Sequence, residues 1–418
     1  MRNKVIRVLI LFFIIVGLSL IYENQYTMTT VQAAQKNTYT ISPSSKPFDP
    51  IILRYSTYNK DTKDYYLIRS YLELFEKKKG GTLIFKKGTY TISNALYVPS
   101  NVTLQFEDGV KIIKGTKTGT YVFQPSTSIF QLIRPSKAHA TGVYDKYKGE
   151  KNIKFIGKGN VTFDMKNYER GIAIIMGHNQ NVTVEGIQFK NMYNAHFIEM
   201  DASKNVTIKN SSFKNAKDNA SSIKEAINLD TPDRTTNGWS QQWSKFDAYP
   251  NTNVLIEKNE FSNMPRAIGT HKYSYKKLHN QVVIRSNIFY NLRKDPIRAM
   301  NWSNTLIEKN TFKMSKKHAE TFNANGIIAN GTINPTIRNN TFDYFNTAVS
   351  FTPHVNNGAG TNEWIYCEVT EQNKKDLLTN TLQNMLSEII YIKNNIQPDG
   401  ARKTERVYFP ESVLRKTI

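Results

Sequence analysis

Acidic side chains are concentrated in the stretch EAINLDTPD, residues 225–233. Its apolar residues alternate with Asn228 and Asp230, as expected of a strand with one buried face and one outer face. Glu225 and Asp233 flank this alternation. Carboxyl groups held close together can divide the work of a general acid and a general base, because like charges push their pKa values apart. The stretch therefore predicts a site for acid–base chemistry.

Other stretches with a similar apolar pattern add further reactive side chains. In AHFIEMD, RAIGTHK and PIRAMNW the apolar residues are expected to point inward, as in EAINLDT. Glu199 and Asp201 then point outward in the first, His271 in the second and Arg298 in the third. If these strands lie side by side, their outer faces present Glu199 and Asp201, then Asp230, His271 and Arg298.

This order defines the predicted site. We expect the catalytic residues to be Asp201, Asp230, His271 and Arg298. The insertion 231–252 is rich in aromatic rings that can stack on sugars, and exposed loops often supply binding residues. We expect the substrate-binding residues to be Glu199, Glu225, Asn228, Asp233, Trp239, Trp243, Arg266, Lys272 and Tyr273.

The elements that position these residues follow from an internal repeat. Segments such as NVTVEGIQFKN, NVTIKNSSFKN and NVLIEKNEFSN share a short strand, an Asn-rich turn and a second short strand. Their phenylalanines are Phe189, Phe213, Phe261, Phe289, Phe312 and Phe342, with spacings of 24, 48, 28, 23 and 30. The spacing of 48 fits either one coil with a large insertion or two coils. Repeats made only of strands and turns predict a parallel solenoid.

The predicted fold is therefore all-β: a single-stranded right-handed parallel β-helix. Residues 62–79 have helical apolar spacing and predict an N-terminal cap helix. A C-terminal helical or irregular cap is expected from the pattern of residues 371–386, which predicts a helix, and from the return to the strand template after it. Such caps cover the open sheet edges of a solenoid.

The chain divides into four predicted regions. Residues 1–33 combine a basic start, an apolar run and a small-residue site, and we interpret them as a secretory signal peptide. Residues 34–61 form an N-terminal extension. The β-helix, with its cap helix and the inserted loop 231–252, occupies 62–355, and a C-terminal coil and cap occupy 356–418.

The composition and the N-terminal segment indicate where the protein acts and what it binds. A signal peptide predicts a secreted protein, extracellular or associated with the cell wall, with the membrane contacted only through an uncleaved signal segment. Cys367 is the single cysteine, so no internal disulfide can form. The formal net charge of +22 favours an acidic polysaccharide as the partner. The basic residues are dispersed and no nucleic-acid motif is present, so nucleic acid is not expected; we expect a monomer.

The helix 62–79 followed by GGTLIFKKGTYTISNALYVPSNVTLQFEDGV resembles the opening of the pectin-lyase-like superfamily. The order of acids, histidine and basic residue also resembles that of polygalacturonase-type glycoside hydrolases. That resemblance implies that Asp201 and Asp230 are the catalytic carboxylates, His271 a supporting histidine and Arg298 the residue that binds the substrate carboxylate. The motifs EMD, LDTPD, GTH and PIR stand where that family has NTD, an aspartate pair, GHG and RIK.

Several activities remain open on this scaffold. A hydrolase of uronate-containing polymers needs no cofactor. A polysaccharide lyase of this superfamily would use Ca²⁺, with Glu199, Asp201 and Asp230 as ligands and Arg298 or Lys272 as the base. A uronan epimerase would use His271 as base. A non-catalytic wall-binding or polysaccharide-binding protein would use only its positive charge.

Overall fold

A computed structural model of the chain describes residues 37–218, 223–272, 274–355, 364–387, 389–395 and 402–407. The predicted signal segment 1–33 and Tyr273 lie outside these ranges. The helices are α1 (Lys63–Lys77), α2 (Lys316–Phe322) and α3 (Glu371–Leu377), with short 3₁₀ turns at Pro50–Arg54 and Pro135–Lys137. The strands of the first half are β1 (Thr38–Ile41), β2 (Gly81–Phe85), β3 (Gly88–Ile92), β4 (Leu96–Tyr97), β5 (Val102–Phe106), β6 (Val110–Lys114), β7 (Ser128–Gln131), β8 (Lys151–Gly157), β9 (Thr162–Asp164), β10 (Ile172–Gly177), β11 (Gln180–Glu185), β12 (Gln188–Tyr193), β13 (Ile198–Asp201), β14 (Lys204–Lys209), β15 (Ser212–Lys217) and β16 (Glu225–Asp230). Those of the second half are β17 (Thr252–Glu257), β18 (Glu260–Ser262), β19 (Arg266–Gly269), β20 (His279–Arg285), β21 (Ile288–Tyr290), β22 (Ile297–Met300), β23 (Trp302–Ser303), β24 (Leu306–Glu308), β25 (Thr311–Lys313), β26 (Ile327–Asn330), β27 (Thr336–Arg338), β28 (Thr341–Asp343), β29 (Val349–Thr352), β30 (His354–Val355), β31 (Trp364–Ile365), β32 (Thr381–Gln383), β33 (Ile390–Asn395) and β34 (Arg402–Val407).

Successive strands of the chain belong to three different sheets. Sheet 1 runs β1-β2-β5-β8-β11-β14-β17-β20-β24-β27, with β23 beside β20; sheet 2 runs β3-β6-β9-β12-β15-β18-β21-β25-β28-β32. Sheet 3 runs β4-β7-β10-β13-β16-β19-β22-β26-β29-β33-β34. Pairing between coils is parallel, and only β30–β31 and β33–β34 pair antiparallel among the strands described. The chain is a right-handed parallel β-helix, as predicted.

The core is stacked in register from coil to coil. The predicted phenylalanines pack face to face in sheet 2, with ring centroids 4.5–5.1 Å apart. Phe213 pairs directly with Phe261. The spacing of 48 residues is therefore one coil with an insertion and not two coils.

Buried asparagines form a second stack between sheets 1 and 2. Four of these asparagines donate through Nδ2 both to a carbonyl of another coil and to Oδ1 of the next asparagine, the latter at 2.9–3.1 Å. Asn380 ends the stack, and its Nδ2 donates only to backbone carbonyls. The members are Asn259, Asn287, Asn310, Asn340 and Asn380. This ladder satisfies amide groups that are buried in every coil, which fixes the register of the turns.

The two ends differ in how closely they follow the prediction. Helix α1 covers the N-terminal end and buries Tyr66, Leu72 and Phe75, as expected. The helix predicted for 371–386 is wrong in length: α3 ends at Leu377 and β32 follows it. The reason is packing, because Leu382 pairs with Phe342 and so occupies the phenylalanine position of one more coil. In the described part of the chain, no helix has the length and apolar character needed to span a bilayer.

Candidate active site

The outer face of sheet 3 brings the predicted acidic residues together. The parallel register aligns Glu199 with Asn228 and Asp201 with Asp230 on adjacent coils. The residues between them, such as Ile198 and Leu229, are fully buried in the core, as the alternation predicted. The same register places Arg298 beside Gly269 on the following coils.

A local irregularity adds a second row of charges to this face. Strands of sheet 3 have two consecutive inward residues near their start, such as Ala226 and Ile227 in β16. In β19 the N–H groups of Ala267 and Ile268 both donate to one carbonyl, that of Pro296, each at 3.1 Å. This is the pattern of a β-bulge, which shifts the alternation by one residue. Residues that precede the bulge therefore stand on the outer face.

Glu225 and Arg266 occupy this shifted row. Their Cα positions pair between β16 and β19. Arg266 Nη1 donates to Glu225 at 2.7 Å, and the guanidinium also donates twice to Asp295, at 2.7 and 3.0 Å. All three side chains are buried. Burial alone would raise the pKa of Glu225, but His271 and the charge of Arg266 hold it well below its usual range.

Two loops cover the N-terminal side of the face. The insertion 231–252 packs on the segment 134–150, where the N–H groups of Val143 and Tyr144 donate to the carbonyl of Trp243 at 2.7 and 3.0 Å. Trp239 and Trp243 belong to a small apolar cluster outside the main core. The rings lie directly over Gly177, where a Cβ would come within 2.7 Å of Trp239.

A pocket of about 190 Å³ opens between the insertion and the acidic strands. Its floor is formed by β13 and β16 and its walls by the segments around 237–241 and 271–272. It is lined by Ile172, Ile175, His196, Glu199, Lys224, Asn228, Asp230, Asn237, Gly238, Trp239, Ser240, Gln241, His271 and Lys272.

The two carboxyl groups at the floor, Glu199 and Asp230, and the buried Asp201 beside them have raised pKa values. Burial, followed by the charge of Asp230, raises the pKa of Glu199 to about 8. Burial also raises the pKa of Asp230 to about 6, against the opposing effect of His271. Burial and the charges of Glu199 and Asp230 raise the pKa of Asp201 well above its usual range. At neutral pH Glu199 is therefore mainly protonated and Asp230 mainly ionised.

Hydrogen bonds fix two of these carboxyl groups. Asp230 Oδ1 accepts from the backbone N–H groups of His271 and Lys272 at 2.8 and 2.7 Å, which leaves Oδ2 for the pocket. Asn228 Nδ2 donates to Glu199 at 3.0 Å. Neither oxygen of Asp201 accepts from a donor of the described protein. A bond between Asp201 and Glu199 therefore requires a shared proton.

Histidines complete the pocket. His196 Nδ1 lies 2.7 Å from the backbone carbonyl of Glu225, so it carries the proton, and Nε2 faces Glu199 at 3.6 Å. Burial lowers the pKa of His196 to about 3, so it is neutral. His271 lies between Glu225 and Lys224, with Lys224 Nζ at 3.0 Å from Nε2.

The structure separates the predicted site residues into groups. The pocket includes Glu199, Asn228, Asp230, Trp239, His271 and Lys272. Outside the lining lie Asp201, Glu225 and Arg266, which are buried, together with Trp243, Asp233 and Arg298. Asp233 instead ties the insertion to Ser274, which donates to it at 2.5 Å. Their predicted catalytic and binding roles remain predictions, as does that of Tyr273.

Sequence reasoning missed two ionisable residues of the pocket. His196 and Lys224 both line it, and neither was a candidate. Each precedes a strand of sheet 3. The register of β13 and β16 aligns His196 with Glu225, in the row that the bulge turns outward, and Lys224 lies one residue before Glu225. The signal available in the sequence for His196 was the pair of consecutive apolar residues that follows it, Phe197 and Ile198.

Metal binding is not indicated by the described residues. No group of three or more His, Cys, Asp and Glu side chains in them has an arrangement suited to a metal ion. The calcium site of Glu199, Asp201 and Asp230 under the lyase hypothesis remains a prediction.

Comparison with known proteins supports the fold. Residues 239–396 match a protein family described as "Right handed beta helix region". The plasmin and fibronectin-binding protein A of Streptococcus pneumoniae is 25% identical over 272 residues, covering 57% of this chain and 35% of its own length. The chain thus spans about a third of that curated relative.

Two solved structures give the same result. The crystal structure of PfbA, a surface adhesin of Streptococcus pneumoniae, superposes with a TM-score of 0.55 at 18% identity, covering 85% of this chain and 80% of that one. A second structure of the same adhesin gives 0.51 at 16% identity, covering 85% and 96%. The predicted fold, a right-handed parallel β-helix, is confirmed.

Proposed function

We propose that this protein is a secreted or surface-associated enzyme that hydrolyses glycosidic bonds of an acidic polysaccharide. The observation that carries the proposal is the pair Glu199 and Asp230, which face one pocket with pKa values of about 8 and about 6. When the pKa of one carboxyl group lies above neutral pH and that of the other lies below it, the two can act as general acid and general base. Glycoside hydrolysis requires this pair.

Each group has a defined role in the proposed reaction. The Glu199 carboxyl donates its proton to the glycosidic oxygen as the bond to the leaving sugar breaks. The Asp230 carboxylate, oriented by two backbone N–H groups, takes a proton from the attacking water. Asn228 holds the Glu199 carboxyl by its hydrogen bond.

The site and the whole-chain charge favour an acidic polymer. Lys224 and Lys272 both line the pocket. In the part of the chain that the structure describes, neither ammonium forms an ion pair. The formal net charge of +22 acts in the same direction over a longer range.

Substitution of the two carboxyl groups tests this proposal. Asp230→Asn and Glu199→Gln should each reduce the rate of reducing-end release from a polyuronate by about 10²–10⁴-fold, the usual contribution of a general acid or base. Glu260→Gln, an exposed carboxyl on sheet 2, is the matched control and should leave the rate unchanged. Full activity of Asp230→Asn with an unaltered fold would contradict the assignment.

A second candidate function is adhesion. It is favoured by the 25% identity to the plasmin and fibronectin-binding protein A. An adhesin would bind plasmin or fibronectin without altering a polysaccharide. Binding of either protein, measured by surface plasmon resonance and unchanged in Asp230→Asn and Glu199→Gln, would support this function; undetectable binding of both would argue against it.

A further inference from the structure

The pocket contains two lysines, of which Lys224 interacts with the charges of Glu225, Glu199 and Asp230 without a direct ion pair to any of them. Lys224 and Lys272 both line it, and neither forms an ion pair with the described residues. Lys224 Nζ is instead 3.0 Å from His271 Nε2. An ammonium can only donate hydrogen bonds, so Nε2 must be the unprotonated, accepting nitrogen of the ring.

The other ring nitrogen faces a buried carboxylate. His271 Nδ1 lies 3.6 Å from Glu225 Oε2, and Glu225 is inaccessible to solvent. Neither of these two atoms has another hydrogen-bond partner in the described protein. A proton on Nδ1 therefore faces Glu225, which is the same tautomer that the bond from Lys224 requires.

The position of the Glu225 carboxylate is fixed by Arg266. Arg266 donates to Glu225 Oε1 at 2.7 Å and is held in turn by a bidentate pair with Asp295. Arg–carboxylate pairs of this geometry are rigid as well as strong. Because Oε1 is engaged by Arg266, Oε2 is the oxygen directed at His271.

We infer that Glu225 is a positioning residue that holds His271 as its Nδ1–H tautomer, and that Lys224, oriented by His271, binds the carboxylate of the sugar in the pocket. This inference rests on the proposed function, since it assigns the substrate contact of the same site. His271 thereby links the buried Glu225 to Lys224, which lines the pocket.

The tautomer can be measured without any ligand. Histidine rings of the whole protein are labelled with ¹⁵N, and the signals of His271 are assigned among the seven histidines by their loss in His271→Gln. We expect a protonated Nδ1 and an unprotonated Nε2 in the wild type and in Lys224→Met, and a larger Nε2–H population in Glu225→Gln because an amide accepts less strongly than a carboxylate. If the wild-type ring is protonated mainly on Nε2, Glu225 does not hold His271 as its Nδ1–H tautomer, and this result stands whether or not Glu225→Gln folds.

The role of Lys224 is tested by binding. Titration calorimetry compares a uronate oligosaccharide with its carboxyl-reduced, neutral counterpart. Lys224→Met should weaken binding of the acidic ligand by about 10- to 100-fold, the usual worth of a hydrogen bond to a charged group, and of the neutral one by less than about twofold. Lys214→Met, which removes a lysine from sheet 2, is the control and should change neither affinity.

The outcomes separate this inference from the proposed function. Equal loss for both ligands, or no loss, in Lys224→Met would overturn the anion-binding role while leaving hydrolysis intact. A wild-type protein that binds neither ligand would contradict both the proposed function and the role of Lys224. The tautomer measurement would then still decide whether Glu225 positions His271.

Discussion

At the scale of single residues, the pocket is defined by carboxyl groups in unequal surroundings. Asp230 receives two backbone N–H groups, which favour its charged form. Glu199 receives one amide hydrogen bond and is more strongly affected by burial and by the charge of Asp230. Because of this difference in hydrogen bonding, we assign Asp230 as the base and Glu199, on the neighbouring coil, as the acid.

The pH dependence of activity follows from these surroundings. Asp230 must be ionised, so activity should fall as the pH drops through about 6; Glu199 must be protonated, so activity should fall as the pH rises through about 8. We expect a bell-shaped dependence of kcat/KM on pH. Its two limbs give the apparent pKa values of Asp230 and Glu199 as an interacting pair. Glu199→Gln should remove the alkaline limb from the residual activity, and a profile with the same alkaline limb would contradict its role as acid.

Stability should also depend on this cluster. A carboxyl whose pKa is higher in the folded state than in the unfolded state binds its proton more tightly when folded, so the free energy of unfolding falls as pH rises through that range. For Glu199 the range extends from 4.5 to about 8, and the pKa of Asp201 is shifted in the same direction. The stabilising contribution of these two carboxyl groups should therefore be smaller at about pH 8 than at about pH 5. The buried, neutral His196 and His279, whose pKa values burial lowers to about 3, act in the opposite direction.

Asp201→Asn tests this directly. The amide carries no charge and can donate to the neighbouring carboxyl groups, so this variant should be more stable than wild type by about 1–3 kcal/mol at alkaline pH and by less at acidic pH. Urea unfolding at both pH values measures the difference, with Glu260→Gln as the exposed control. An equal effect at both pH values would show that Asp201 is not a buried group with a raised pKa.

At the scale of elements, one coil template accounts for most of the fold. The repeated strand–turn–strand pattern predicted the stacked phenylalanines and the outward positions of Glu199, Asp230 and Arg298. Strict alternation could not predict Glu225 and Arg266 on the outer face, because the bulge shifts the pattern by one residue. Nor could it predict that Trp239 and Trp243 of the insertion would lie over Gly177.

The asparagine ladder provides the element-scale prediction. Asn287 Nδ2 donates to the carbonyl of Ile256 and its Oδ1 accepts the N–H of Asn259, both at 2.9 Å and both buried. Asn287→Ala leaves these groups without partners and should lower the free energy of unfolding by about 2–4 kcal/mol. Chemical unfolding measures the loss.

The matched control lies in an outer asparagine row. Asn205 bonds Asn181 at 2.9 Å in an exposed turn and has a φ of 56°. Asn205→Gly keeps that left-handed conformation and loses two exposed hydrogen bonds, the one to Asn181 and one accepted from Asn253, so it should cost less than the buried substitution, about 1 kcal/mol. Similar losses for the two variants would contradict the assigned difference between buried and exposed ladders.

At the scale of the whole molecule, the β-helix provides the outer face of sheet 3, and two loops enclose one side of this face to form the pocket. The coil template would place the outer residues of sheet 3 in solvent, but the insertion 231–252 and the segment 134–150 pack together and enclose one side of them. The sequence indicated the aromatic insertion and its position on the coil of Asp230. It did not indicate that Trp243 would pack against Tyr144 and Gly177 instead of facing the pocket.

The net charge should govern association with the polymer. With a formal charge of +22, the protein should bind a polyuronate more weakly as salt shortens the range of electrostatic attraction from about 10 Å at 0.1 M to about 3 Å at 1 M. A loss of about tenfold or more is expected for the acidic polymer, and little change for its carboxyl-reduced form. Equal salt dependence for both polymers would contradict an electrostatic preference for acidic chains.

The most direct test of the central claim is a digest of a panel of polyuronates by the purified protein, with reducing ends and unsaturated-uronate absorbance followed together. We predict new reducing ends without that absorbance, unaffected by chelator and lost in Asp230→Asn. Absorbance that rises with the reducing ends would contradict hydrolysis and identify a lyase, with chelator sensitivity pointing to the calcium ligands predicted for that activity. An unchanged polymer across the whole panel, together with binding of plasmin or fibronectin, would contradict the enzymatic account and favour adhesion.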